Sequence, residues 1–143
     1  MSRVTVVGVD GSAWSENALE HAIELAAGLG DTLVVAYAVE PPNRSVGEEW
    51  RESQTAIEEL GAPVIAAAVD RAAAAGVEAE GLLVPRRPVE ALLELAAEHD
   101  ARMIVVGTAS ERPLTGLVLG AVPHKLLHRS SVPVLVVPRP HGD

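Results

Sequence analysis

Arg3-Val-Thr-Val-Val-Gly-Val-Asp-Gly-Ser12 is the stretch on which the fold turns. Its apolar, β-branched run is short and nearly continuous, as expected of a strand buried on both faces. Asp10-Gly11-Ser12 ends the run, and behind it Ala18, Ala22, Leu25 and Leu29 recur at helical spacing. Ser12 or Ser15 supplies the oxygen that caps this helix, and Gly28 and Gly30 mark its stop. A strand passing directly into a helix is the opening half of a parallel α/β unit.

The pattern repeats along the chain. Thr32–Val39, Val77–Val84, Arg102–Gly107 and Val132–Val137 read as four further strands, with helical stretches between them. Leu92, Leu93, Leu95 and Ala96 form an apolar face before the fourth strand, and Leu117, Leu119, Val122, Leu126 and Leu127 form one before the fifth. Strands alternating with helices predict an α/β fold with a five-stranded, mainly parallel sheet and helices on both faces. The middle connection is less regular. Pro41-Pro42-Asn43 opens a polar loop, Glu48–Leu60 reads as helix, and Gly61-Ala62-Pro63 is expected to break or kink it before the Ala-rich stretch from Val64 to Ala75.

Composition fits this architecture. The 143 residues suit one domain spanning 1–143, and the 48% apolar content, with no Phe, one Tyr and two Trp, implies a core of small interlocking aliphatics. A net charge of −9, spread over helical stretches, disfavours nucleic acid as a partner. The absence of cysteine excludes disulfides, redox thiols and thiolate metal sites. No secretory leader is expected at the amino terminus, and the apolar runs are too short to span a membrane, so the cytoplasm is the expected compartment. The tail Arg139–Asp143 is expected to fray.

In an open parallel sheet, ligands bind beyond the carboxyl ends of the strands, where strand order reverses. The relevant ends here are Asp10-Gly11-Ser12, Ala38-Val39-Glu40 and the long loop Gly107–Gly120. Glycines and small residues in that loop let backbone N–H groups approach an anion, and the helix behind it presents its positive end. Val-Gly-Val-Asp-Gly-Ser at 7–12, the strand leading to Glu40-Pro41, Ile104-Val-Val-Gly107, Leu119-Gly120, Lys125-Leu-Leu-His128 and Pro133-Val-Leu-Val-Val137 together resemble the universal stress protein family over nearly the whole chain.

That resemblance implies a Rossmann-like sheet of the adenine nucleotide alpha-hydrolase-like type, with strand order 3-2-1-4-5. It also implies a site for ATP or AMP, with Mg²⁺ accompanying ATP. Asp10 matches the family's acidic residue near the nucleotide sugar, Ala38 the residue whose backbone meets adenine, and Gly107 and Gly120 the outer glycines of the pattern Gly-x2-Gly-x9-Gly-Ser/Thr. The candidate binding set is Asp10, Gly11, Ser12, Ala38, Gly107, Thr108, Ala109, Ser110, Gly120, Ala121 and Val122. Two positions depart from the family. Ser110 replaces the second loop glycine, and Ala121 replaces the hydroxyl residue, removing one phosphate donor. In the same loop Pro113 adds stiffness and Arg112 offers an alternative anion partner.

Each feature also has a purely structural reading. Asp10 can be a turn carboxylate, and Gly107 and Gly120 can serve turn geometry and close packing. His124 and His128 share one helix face, but with no third ligand evident and Lys125 and Arg129 beside them they read as a polar face, and no metal site is assigned. Arg86-Arg87 reads as an exposed strand-to-helix turn. Common motifs for phosphate-loop, serine-elbow and zinc hydrolases are missing, and nothing supports a triad of Ser12, Asp10 and a histidine, so no catalytic residue is assigned. Three readings follow: a nucleotide-binding regulatory protein, a nucleotide-free interaction module with an unidentified protein partner, and a slow ATP hydrolase. The family also implies a homodimer through the Val132–Val137 edge, which would otherwise remain unpaired.

Overall fold

The computed structural model describes residues 3–40, 47–108 and 119–139. The five apolar runs become strands β1 (Val4–Gly8), β2 (Thr32–Ala38), β3 (Ala79–Val84), β4 (Met103–Gly107) and β5 (Val134–Val137). They are separated by helices α1 (Ala13–Leu29), α2 (Glu48–Ala74), α3 (Pro88–Glu98) and α4 (Ala121–Arg129). All neighbouring strands pair in parallel, in the order β3-β2-β1-β4-β5. Strand order therefore reverses between β1 and β4.

The pleat divides the core into two layers. Val7, Val35, Val105 and Val137 pack with α1 and α2, whereas Val6, Val34, Ile104 and Val106 pack with α3 and α4. Because both faces are covered, consecutive valines are all buried, which explains the absence of polar alternation in the central strands. Among the residues assigned to the apolar faces, Leu29 and Leu127 are 46% and 51% exposed, and half-buried Leu25 and Leu119 belong to neither core layer. Leu117 lies outside the described residues.

Three strand starts differ from the sequence expectation, each for a local reason. β3 begins at Ala79 because Gly76 takes a left-handed conformation (φ 77°) and the Val77 amide turns back to Ala72 O at 2.8 Å, closing α2. β4 begins at Met103, although the Arg102 amide already donates to Val4 O at 2.7 Å. β5 is confined to Val134–Val137, since Val132 donates its amide to Ser130 Oγ in the turn after α4.

The expected interruption of the second helix is absent: α2 runs continuously from Glu48 to Ala74 with Pro63 inside it. Proline removes one amide donor, but the affected turn, including Glu59 and Pro63, faces solvent, where water can satisfy the carbonyl left without a partner. Gly61 serves a different purpose from a break. A Cβ there would come within 2.6 Å of Leu83 Cδ1 and 2.8 Å of Tyr37 Cδ1, so glycine lets the helix lie directly on β2 and β3.

At the amino end of the sheet, β1, β2 and β4 are tied by one polar cluster. Asp31, 5% exposed, accepts from Thr5 Oγ1 at 3.0 Å and from Arg102 through Nε at 2.8 Å and Nη2 at 3.1 Å. The Arg102 hydrogen bonds hold the Asp31 carboxyl below its ordinary range, against the opposing effect of burial and with help from Thr5. Two-point contact with a planar guanidinium fixes direction as well as charge.

Candidate functional site

At the carboxyl end the three strand ends named in the sequence stand side by side: β2 pairs with β1, and β1 with β4. Val9 donates its amide to Ala36 O at 2.9 Å as the last bond between β1 and β2. Val39 donates to Val84 O at 3.2 Å, on the β3 side. By alternation, the peptide groups of Ala38 face the β1 side, where no described backbone group bonds to them. Ala38 thus ends β2 with a peptide edge that no described backbone group occupies on the β1 side.

Beside it, Asp10-Gly11-Ser12 forms a self-supporting turn. Asp10 Oδ1 accepts the Ser12 amide at 2.9 Å, Ser12 Oγ accepts the Ser15 amide at 3.3 Å, and Ser15 Oγ both donates to Ser12 O and accepts the Asp10 amide. Ser12 is therefore the helix cap, and buried Ser15 braces the turn. Gly11 has φ +84°, a conformation that glycine adopts without strain. Asp10 itself is exposed, and its Oδ2 makes no described hydrogen bond, which leaves an acceptor directed to solvent.

Gly107 is explained by packing alone. A Cβ there would lie 2.9 Å from Trp14 O, so glycine is what allows the first turn of α1 to rest on the end of β4. The next residue closes a clasp: Thr108 donates its amide to Val137 O at 3.0 Å and accepts the Gly120 amide at 2.7 Å. The loop between Thr108 and Gly120 thereby leaves and returns at one point. Ala109 and Ser110, together with Arg112 and Pro113, lie outside the described residues.

The clasp has a chemical consequence at the start of α4. Gly120 has given its amide to Thr108, and Pro123 has none to give. Of the first-turn groups, only the Ala121 and Val122 amides remain as donors, for an α-helix offers its opening N–H groups no partner of its own. Gly120, in extended backbone, contributes no side-chain cap to them. Trp14 and Pro123 were missed from the sequence. Pro123 was readable from its place in the helix's first turn, whereas the contact of Trp14 with Gly107 is not visible in any local pattern.

The remaining polar candidates sit elsewhere. Arg86 pairs with Glu94 at 2.6 Å and Arg87 with Glu40 at 3.0 Å, both on the surface. His124 and His128 are exposed on α4. Among the described residues no three His, Cys, Asp or Glu side chains gather as a metal-binding group.

A crevice at the strand-order reversal of an open parallel α/β sheet is the defining feature of a doubly wound nucleotide-binding class of fold. The chain matches the universal stress protein family over residues 1–138, and it belongs to that family. It is 33% identical to universal stress protein Rv1636 of Mycobacterium tuberculosis, with 94% of this chain and 95% of that protein covered. It is 31% identical to universal stress protein YxiE of Bacillus subtilis, with 92% and 96% covered. The crystal structure of a universal stress protein in complex with cAMP superposes with a TM-score of 0.75 at 34% identity, covering 97% of this chain and 98% of that one. The strand order 3-2-1-4-5 implied by the sequence resemblance is the order found.

Proposed function

We propose that this protein binds an adenine nucleotide in the crevice at the ends of β1, β2 and β4, and acts through that binding rather than by catalysis. What supports the reading is that unused groups follow the carboxyl ends of neighbouring strands: the open Ala38 edge at the end of β2, the free oxygen of Asp10 after β1, and the Ala121 and Val122 amides next to Gly120, which the clasp holds to Thr108 at the end of β4. In this reading the Ala38 peptide meets the base, Asp10 accepts from a ribose hydroxyl, and the two amides hold a phosphate at the positive end of α4. Gly11, Ser12, Gly107 and Thr108 shape the floor. Ala109 and Ser110 belong to the same proposed set through the family resemblance.

The donors suit a nucleotide bearing one phosphate. Loss of the Gly120 amide to the clasp, of the hydroxyl at Ala121 and of an amide at Pro123 removes donors that a polyphosphate chain would use. A cation from solvent would have to accompany ATP, so Mg²⁺ enters as part of the nucleotide rather than as a resident ion. AMP or cAMP is the preferred ligand on this account. The relative with cAMP bound supports the same class.

Two features favour a second reading, a nucleotide-free interaction module. Gly107 is required by Trp14, and the Gly120 amide is taken up by the clasp, without any ligand. In either reading, we place a second copy of the chain along β5. That strand ends the sheet at its β4 side, and Leu135 is 36% exposed there. No described helix is long and apolar enough to cross a membrane, and the cytoplasm remains the proposed compartment.

Calorimetric titration with AMP, cAMP and Mg-ATP tests the choice. Saturable binding of the monophosphates, weakened at least about tenfold by Asp10→Ala, supports the first reading. No heat and no thermal stabilisation at millimolar nucleotide would leave the interaction module. Tighter binding of Mg-ATP than of AMP would overturn the one-phosphate assignment alone.

A further inference from the structure

We propose that His124 and His128 form a two-imidazole site for a borderline divalent transition cation of the Cu²⁺, Ni²⁺ and Zn²⁺ class on the outer face of α4. The rings lie four residues apart on one helix and meet edge to face, with centroids 4.8 Å apart. Both side chains are exposed, whereas Leu126 between them is fully buried, so the pair points away from the core.

Two imidazole nitrogens sharing one ion, each bonded at about 2.0–2.1 Å, sit roughly 3 Å apart. Rings already this close reach that spacing by side-chain rotation, because the outer torsion of histidine is broad. The cations that argue against a metal in the sequence are directed elsewhere. Arg129 is held by Glu90 at 3.0 Å, and Lys125 follows His124 by one residue, about 100° around the helix.

The other described histidines lack this arrangement. His21 and His99 each engage Nδ1 with a carbonyl of their own helix at 2.9 Å, to Asn17 and Leu95 respectively. Two nitrogen ligands with water completing the shell select ions that favour imidazole over those, such as Mg²⁺, that require oxygen. The site is independent of nucleotide binding.

NiCl₂ titrated by calorimetry into the untagged full chain without nucleotide is the direct test. One equivalent is expected to bind, with His124→Gln and His128→Gln each weakening affinity at least about tenfold through loss of the chelate. His21→Gln should leave it unchanged, and MgCl₂ should neither bind nor compete. Retention of full Ni²⁺ affinity in both His124→Gln and His128→Gln, competition by Mg²⁺, or the absence of Ni²⁺ binding would each overturn the proposal. All three substitutions alter exposed side chains, so folding is preserved for the comparison.

Discussion

The two ends of the same sheet are built on opposite principles. At the amino end the polar groups of Asp31, Thr5 and Arg102 satisfy one another, and three strands are locked together. At the carboxyl end Asp10 keeps an unused oxygen, Ala38 an open peptide edge, and α4 two amides without a described partner. A buried polar group must find its partner within the protein, whereas a group over an open crevice can wait for a ligand. On the proposed function, stability and binding fall to different ends of shared strands, and disturbing one end should leave the other largely intact.

The largest expected effect strikes the amino end. Arg102→Met leaves Asp31 buried without its cation and should cost about 3–5 kcal/mol in urea unfolding at neutral pH. The pH dependence gives the sign. Asp31 titrates below its ordinary value of 3.8 when folded, so its contribution is present above that value and fades as pH falls below it. The gap between wild type and Arg102→Met should therefore narrow in acid; a gap that stays constant to low pH would remove the carboxylate from the explanation.

Gly107→Ala tests whether packing or ligand explains that glycine. Because the added methyl meets the Trp14 backbone, a loss of about 1–3 kcal/mol is expected in nucleotide-free protein. Unchanged thermal stability would show that the end of α1 moves more easily than its geometry implies. Asp10→Ala should instead reduce nucleotide affinity by about tenfold, near 1.4 kcal/mol, with unfolding affected less than by Gly107→Ala. Equal losses in both measurements would mean that the turn is structural and the two ends are less distinct than described.

Ala121→Ser should produce the smallest change. Restoring a hydroxyl at the start of α4 is expected to strengthen phosphate binding by about 0.5–1 kcal/mol, most visibly for Mg-ATP relative to AMP in competition titrations. An equal gain for adenosine, which has no phosphate, would assign the effect to the helix cap.

Much of the architecture was legible locally. Nearly continuous β-branched runs with helical periodicity between them identify the strands and the two-faced sheet, since an apolar run can be satisfied only by burial on both sides. The cap and the stop of α1 were readable to within a pair each, because both depend on a few neighbouring peptide groups: of Ser12 and Ser15 it is Ser12 that caps, and of Gly28 and Gly30 it is Gly30 that ends the helix, Gly28 lying inside it. The candidate binding residues were named by strand position and by resemblance, and the strands that carry the three ends are neighbours in the sheet.

What tertiary structure decided depends on residues distant in sequence. Asp31 and Arg102 are separated by 71 positions, and neither lies in a motif that announces the other. Pro63 predicted a break because proline removes a helical hydrogen bond, but packing of α2 on the sheet, made close by Gly61, outweighs that one bond. The clasp between Thr108 and Gly120 likewise exists only because β4 and α4 are held together by the fold. Local sequence determines which elements form, through forces that act over a turn or a strand. Which polar groups are spent on the fold and which remain for a ligand is decided only when those elements meet.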